Sequence, residues 1–351
     1  TQKELIESPQ WNPANNSVAA ITEVDGARNI HLDLSNANSE IIKVDCYGSI
    51  AFSPDGLTLY YSKANVEKVI DLYKYSLTDK THSKLASFSR DSYAPSVAKD
   101  GSVLFKLQDY RVFIAATKNE SRESVPITTF MSELSYWDPS GTQLSVTYGN
   151  WRRVMDDMHY PDIAQEIGYI NFDITKPAAK PKVVVRASYS EDQGMCWSPN
   201  KKWIAFHTHA DGTDDIWIQP NNDAGKGRPL SIDGHETGRP RWSSDGKWLV
   251  YTSQSNGIKR IFTIGIDQET GTITTPQKVL VPEQSMPGAF ADAHWLADSK
   301  TLVTEYVRDL KHKELYLINK DGSGIKKIHS FVSDQQFSGI SISFDKKWVA
   351  Y

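Results

Sequence analysis

The most chemically suggestive stretch of the chain is His207-Thr208-His209, followed closely by Asp211, Asp214 and Asp215. Residues two apart on a strand point to the same side, so both imidazoles can meet one metal ion or one anion. Zinc or manganese would use His207 and His209, with His235, His159 or an acid as third ligand. Calcium would use the loop Asp211-Gly212-Thr213-Asp214-Asp215. The plainer alternatives are surface histidines packed beside a loop and an Asp/Gly cluster that merely turns the chain. A second group reads as acid–base chemistry. His207, His209, His159 and Tyr160 are candidate acids and bases, and Arg239 is a candidate cation for a substrate carboxylate. Trp151, Arg152, Arg153, Gln193, His235, Glu236 and Arg308 are candidate binding residues in the neighbouring loops. For Arg152-Arg153 and Arg239-Pro240-Arg241 the competing explanation is ordinary solvated loop charge.

Positioning such a set requires a scaffold, and the scaffold is written as a repeat. Each copy has an aromatic or small apolar residue, a Ser/Asn-Pro-Asp-Gly-like turn, an apolar strand, a polar loop and a second apolar strand. The clearest copies span 195–220 and 240–266; others span 9–34, 49–62, 95–116, 134–149 and 293–319, and an eighth begins at 342–351. The spacing of about 40–60 residues is that of propeller blades. Turns such as Ser53-Pro54-Asp55-Gly56 reverse strand a into strand b. Trp203–Phe206 and Leu249–Tyr251 read as b strands, 215–218 and 314–318 as c strands, and 278–281 and 326–328 as d strands. One such sheet cannot bury both its faces alone, whereas sheets stacked radially can. The expected fold is therefore all-β: a single propeller over 1–351, of seven or eight four-stranded blades, with the count favouring eight. Lys3-Glu4-Leu5-Ile6 is expected to complete the terminal hairpin. The segment 150–171 interrupts the fourth copy; its inserted part, about 150–168, is expected to protrude and to hold a helical turn.

This geometry predicts which rim carries function. The a–b turns lie on one rim, and the b–c loops and d–a connections lie on the other. Most of the candidate residues above, with His294, fall on the second rim in copies four to seven, where loops sit on a rigid frame. Trp137, Trp197, Trp242 and Trp295 end successive a strands and read as core, whereas Trp151 in the insertion is a candidate stacking platform. Cys46 and Cys196 belong to distant copies, which argues against a disulfide and for buried thiols.

Composition narrows the partners. Of 351 residues 39% are hydrophobic and 23% charged, enough apolar material for a large core. A net charge of −4 argues against nucleic acid or an anionic membrane as partner. No apolar run reaches the roughly 20 residues that span a bilayer. Two cysteines exclude a disulfide scaffold and a four-thiolate zinc site. A monomer is expected.

At Trp197-Ser198-Pro199-Asn200, Trp242-Ser243-Ser244-Asp245-Gly246 and Phe52-Ser53-Pro54-Asp55-Gly56 the sequence resembles the TolB-like β-propeller repeat family. The resemblance covers nearly the whole chain and implies the propeller fold. The family includes periplasmic partners of outer-membrane lipoproteins, non-catalytic propellers of prolyl-peptidase-like enzymes, and lyases acting on oligogalacturonate and ulvan. It implies an exported protein, periplasmic or secreted; Thr1 is not preceded by a charged, apolar leader, so export rests on the resemblance. The small α/β domain that precedes the propeller in TolB is not seen in the sequence. Neither is a Gly-x-Ser-x-Gly nucleophile elbow, nor the Gln-x-x-His-x-His cluster expected of an oligogalacturonate lyase. The leading expectation is a binding scaffold for a protein or glycan. Its rivals are a lyase that performs β-elimination on an acidic polysaccharide, and the non-catalytic propeller of a larger peptidase-like protein.

Overall fold

A computed structural model gives the architecture. It describes residues 5–24, 26–36, 38–64, 70–86, 92–97, 101, 103–107, 112–116, 125–126, 135–148, 167–173, 182–187, 194–208, 215–222, 227–230, 237–255, 257–309, 312–331, 340–343 and 345–350. Among these residues, seven four-stranded antiparallel sheets and a two-stranded hairpin follow one another along the chain. Each four-stranded sheet is a meander, a–b–c–d, and each corresponds to one copy of the repeat. The fifth comprises Met195–Trp197, Trp203–Thr208, Asp215–Pro220 and Arg228–Pro229. The sixth comprises Thr237–Trp242, Trp248–Ser255, Ile258–Ile266 and Ile273–Val279. The seventh comprises Ala289–Trp295, Thr301–Asp309, His312–Asn319 and Lys326–Phe331. The terminal hairpin pairs Ser341–Ile342 with Val349–Ala350.

The repeat motif is a hydrogen-bonding device. In four copies the serine after the strand-a aromatic or apolar residue donates its hydroxyl to the Asp or Asn two residues on: Ser53 to Asp55, Ser198 to Asn200, Ser243 to Asp245 and Ser343 to Asp345, at 2.5–2.7 Å. The same oxygen accepts the N–H of the residue at or just before the start of strand b: Thr58, Trp203, Trp248 and Trp348, at 2.9–3.0 Å. The fourth copy substitutes Asp138, whose carboxylate accepts from Thr142 and Gln143 N–H groups at 2.9 and 2.8 Å. Each turn thus satisfies backbone groups that the reversal would otherwise strand. Replacing Ser243, which is fully buried, by alanine removes both bonds and leaves the Trp248 N–H unmet. The expected loss is about 1–3 kcal/mol, read as a lowered urea midpoint at unchanged slope; a shift below about 0.5 kcal/mol would refute the capping role.

Neighbouring turns are tied to one another on that rim. Asn12 donates to the Gly56 carbonyl at 3.0 Å. Lys201 pairs with Asp138 at 3.2 Å. Asn200 donates to the Gln268 carbonyl at 2.8 Å, the Asp245 N–H to Ser299 Oγ at 3.0 Å, and the Ala297 N–H to the Lys346 carbonyl at 3.2 Å. Asn16 reaches Asp345 at 3.5 Å, linking the first copy to the last hairpin.

The core lies between successive sheets. One cluster joins Ile21, Ile30, Ile50, Leu59 and Tyr61 of the first two sheets. Another joins Val250, Ile261, Phe290, Trp295 and Leu302 of the sixth and seventh. Outer d strands are largely exposed, as over 273–279 and 326–331. Strand a carries a recurrent bulge: two residues have no direct partner in the register at 8–9, 48–49, 94–95, 239–240 and 291–292. Pro9, Pro95 and Pro240 fall within these bulges, where a missing N–H costs no ladder bond.

Three expectations change. Leu5 and Ile6 pair with Glu23 and Thr22 in the first sheet rather than completing the terminal hairpin; Lys3 and Glu4 lie outside the described residues. Strand d of the sixth sheet begins at Ile273, and Leu280 and Val281 follow it into the core instead of extending it. The last part of the 150–171 segment is already strand c of the fourth sheet, Ile167–Asp173. The rest of that segment, with its expected helical turn, is outside the described residues.

Candidate functional site

On strand a the aromatic that precedes the turn packs into the core, so by alternation the residue before it faces the hub. That position holds Cys196, Arg241 and His294 in the fifth, sixth and seventh sheets. The three line one cavity of about 790 Å³, together with Trp137, Pro139, Ser244 and Lys346 among others. Its walls come from the inner strands and a–b turns of the last four sheets and the terminal hairpin.

A carboxylate organises the charges. Asp292 accepts from Arg241 Nη2 at 2.9 Å and bonds His294 Nε2 at 3.0 Å. Asp292 and His294 are two apart and share a face, and Asp292 is released from the ladder by the bulge at 291–292. Burial opposes the Asp292 charge, but the His294 bond and the Arg241 guanidinium outweigh it and hold the carboxyl below the usual range. Trp295 Nε1 donates to the Arg241 carbonyl at 2.9 Å, fixing the backbone behind the guanidinium. Lys346 donates to Ser244 Oγ at 2.5 Å, and burial lowers its ammonium from the usual value. Burial raises the Cys196 thiol to about 12 despite the Arg241 charge nearby, so it is an inert thiol at neutral pH. Trp197, Trp242 and Trp295 are only 4–7% exposed, as core residues should be, whereas Trp137 is half-buried against the cavity.

The residues singled out from sequence fall differently. His207 is buried, 2% exposed, within the b strand of the fifth sheet. Its strand register sets it opposite Ile216, while Thr208 faces Asp215. His207 and Asp215 therefore project from opposite faces of that sheet, so these two do not fit as ligands of one zinc, manganese or calcium ion. Arg308 pairs with Glu314 at 3.5 Å on the outer part of the seventh sheet. The backbone of Arg239 lies in the bulge before Arg241. His209, Asp211, Asp214, His159, Tyr160, Trp151, Arg152, Arg153, Gln193, His235 and Glu236 lie outside the described residues. Among the described residues, no three His, Cys, Asp or Glu side chains converge as a metal site. Cys46, buried, and Cys196, partly exposed, lie in different sheets and form no disulfide. The cavity reaches the rim of the a–b turns, opposite to the rim favoured by sequence. The signal that points to it is the position before each strand-a aromatic.

No family model matches the chain. A curated relative, the Tol-Pal system protein TolB of Desulfosudis oleivorans, is 23% identical over 165 residues, which cover 44% of this chain and a third (33%) of that protein. Among solved structures, an oligogalacturonate lyase in complex with manganese matches 99% of this chain and 93% of its own, at 14% identity and a TM-score of 0.59. Oligopeptidase B from Leishmania major matches 99% of this chain and 52% of its own, at 12% identity and a TM-score of 0.62. At these identities the structural likenesses establish the propeller fold. Among the described residues, no helix is long and apolar enough to cross a membrane.

Proposed function

We propose that this chain, a TolB-like β-propeller, is an exported binding scaffold, periplasmic or secreted, that receives a protein or glycan at its hub. The observation that carries the reading is the cavity lined by a guanidinium and an imidazole from successive inner strands and an ammonium from the terminal turn, with the Asp292 carboxylate bonded to the first two. Arg241 is held by Asp292, and its backbone by Trp295, so its charge is set before any ligand arrives. Preorganised charge of this kind lowers the entropy lost on binding. The blades, which we count as eight with the terminal hairpin closing on the first copy through Asn16 and Asp345, give the hub its rigidity.

Ser244 lines the mouth of the cavity and is exposed at its turn. A panel of acidic oligosaccharides and short peptides, read by calorimetry, is expected to contain binders. The variant Ser244→Trp, which plugs the hub, is expected to abolish their binding while leaving the fold intact by circular dichroism. Binding undiminished in that variant places the seat elsewhere and defeats the reading.

The rival reading is β-elimination on a uronic-acid polymer, using Tyr160, His159, His207, His209 and Arg239. Its support is the backbone bulge at 239–240, a feature over-represented beside active sites. Ultraviolet absorbance from unsaturated uronate, lost in Arg239→Ala, is its expected signature. Silence with digalacturonate and longer oligomers rejects it.

A further inference from the structure

The hub cavity combines fixed positive charge with an apolar wall, and together these define a narrower ligand class than charge alone. The inference rests on the hub being the binding seat. Among the described residues that line the cavity, Arg241 and Lys346 are cationic; Asp292, to which Arg241 and His294 bond, stands beside the lining and contributes a negative charge. Arg241 commits Nη2 to Asp292, yet 38% of its side chain stays exposed, so the outer guanidinium N–H groups remain open to a ligand. Lys346 is bonded to a hydroxyl and not to a carboxylate. Among the described residues the cavity therefore has cationic donors in excess of anionic acceptors.

Most of the remaining wall is apolar: Pro139, Pro199, Pro240, Met195 and Ile342 line it, with Ser243, Ser244 and Ser343 between them. Trp197, Trp242 and Trp295 also line it, though each is only 4–7% exposed, and the half-buried Trp137 adds a further apolar ring. The volume, about 790 Å³, exceeds that of a single side chain and falls within the span of small-ligand sites. The cavity also reaches the turn rim, so a chain entering it has a way out.

We propose that the hub takes the free carboxyl terminus of a polypeptide that ends in apolar residues. The carboxylate accepts hydrogen bonds from Arg241 and Lys346, and the apolar side chains lie against Pro240, Ile342 and Met195. Asp292 and His294 act as positioning residues that hold Arg241.

The test uses the whole chain with two fluorescent pentapeptides, both ending Ala-Ala-Phe, one with a free carboxylate and one amidated. The free acid is expected to bind at least about tenfold more tightly, the worth of one charge-assisted bond. Added salt should weaken the acid and leave the amide unchanged. Arg241→Gln should erase the difference between the two peptides, and Lys346→Met should reduce it several-fold. Lys346 is bonded only through a surface-turn hydroxyl, so Lys346→Met decides the matter if Arg241→Gln fails to fold. Equal affinity of acid and amide overturns the proposal, as does a folded Lys346→Met chain that keeps the full difference, or tighter binding of digalacturonate than of the acid peptide. Ser244→Trp separates the two levels of failure. If it blocks both peptides while they bind equally to the parent, the hub is the seat but the carboxylate assignment is wrong. If it blocks neither, the hub reading itself fails.

Discussion

Replacing Asp292 with alanine is expected to lower the free energy of unfolding by about 2–3 kcal/mol at neutral pH. Removing one partner of a fully buried ion pair costs about 3–5 kcal/mol, and the partial exposure of Arg241, 38% of its side chain, discounts that range. The carboxylate bridges two sheets, because Arg241 belongs to the sixth and His294 to the seventh. Its folded pKa lies below the unfolded value, so its contribution is complete above a pH of about 4 and fades as pH falls toward the lower folded value. The gap between parent and Asp292→Ala, measured by urea unfolding at several pH values, should therefore be widest at pH 5–7 and shrink below about pH 4. A gap that is constant with pH would mean that Asp292 stabilises by packing rather than by charge.

A larger loss is expected from Phe290→Ala. Phe290 is fully buried at the joint between the sixth and seventh sheets, with its ring 5.1 Å from that of Tyr306 and Val250, Ile261, Leu280 and Leu302 in the same cluster. Truncating a buried aromatic of this kind costs about 3–5 kcal/mol, since the vacated space cannot collapse within a rigid stack. Phe290→Leu keeps most of the volume and should cost about 1 kcal/mol. The two variants, compared by equilibrium denaturation, test whether neighbouring sheets share one core. Similar and small losses would show that the sheets fold as loosely coupled units.

The frame was legible because it is local and repeated. Ser198-Pro199-Asn200 and Ser243-Ser244-Asp245 mark their turns through bonds spanning five residues or fewer, and the indoles of Trp197, Trp242 and Trp295, which end their a strands, mark the core. Strand boundaries were less legible: the Ile273–Val279 strand alternates polar and apolar residues weakly because most of it is exposed, so the stronger apolar run at 278–281 attracted the assignment. The hub was missed for a different reason. Arg241 and Asp292 are 51 residues apart and meet only when two sheets stack, a relation no window of sequence contains. His207 was conspicuous because of its neighbour His209, but alternation along Trp203–Thr208 says only that they share a face and not whether that face is buried. Superposing the copies would have helped, since Cys196, Arg241 and His294 occupy one equivalent place.

The bulged inner strand has an evolutionary consequence. Where the ladder gives up two pairings, the side chains answer to no cross-strand neighbour, and the backbone tolerates even proline, as at Pro9, Pro95 and Pro240. Just beyond it, glutamine, alanine, arginine and histidine stand at corresponding sites, Gln10, Ala51, Arg241 and His294, without changing the architecture around them. Mutation can thus rewrite the axle's chemistry one spoke at a time while the turns that bind the spokes stay untouched, at a cost in stability only where a side chain is tied to the next spoke, as Arg241 is to Asp292.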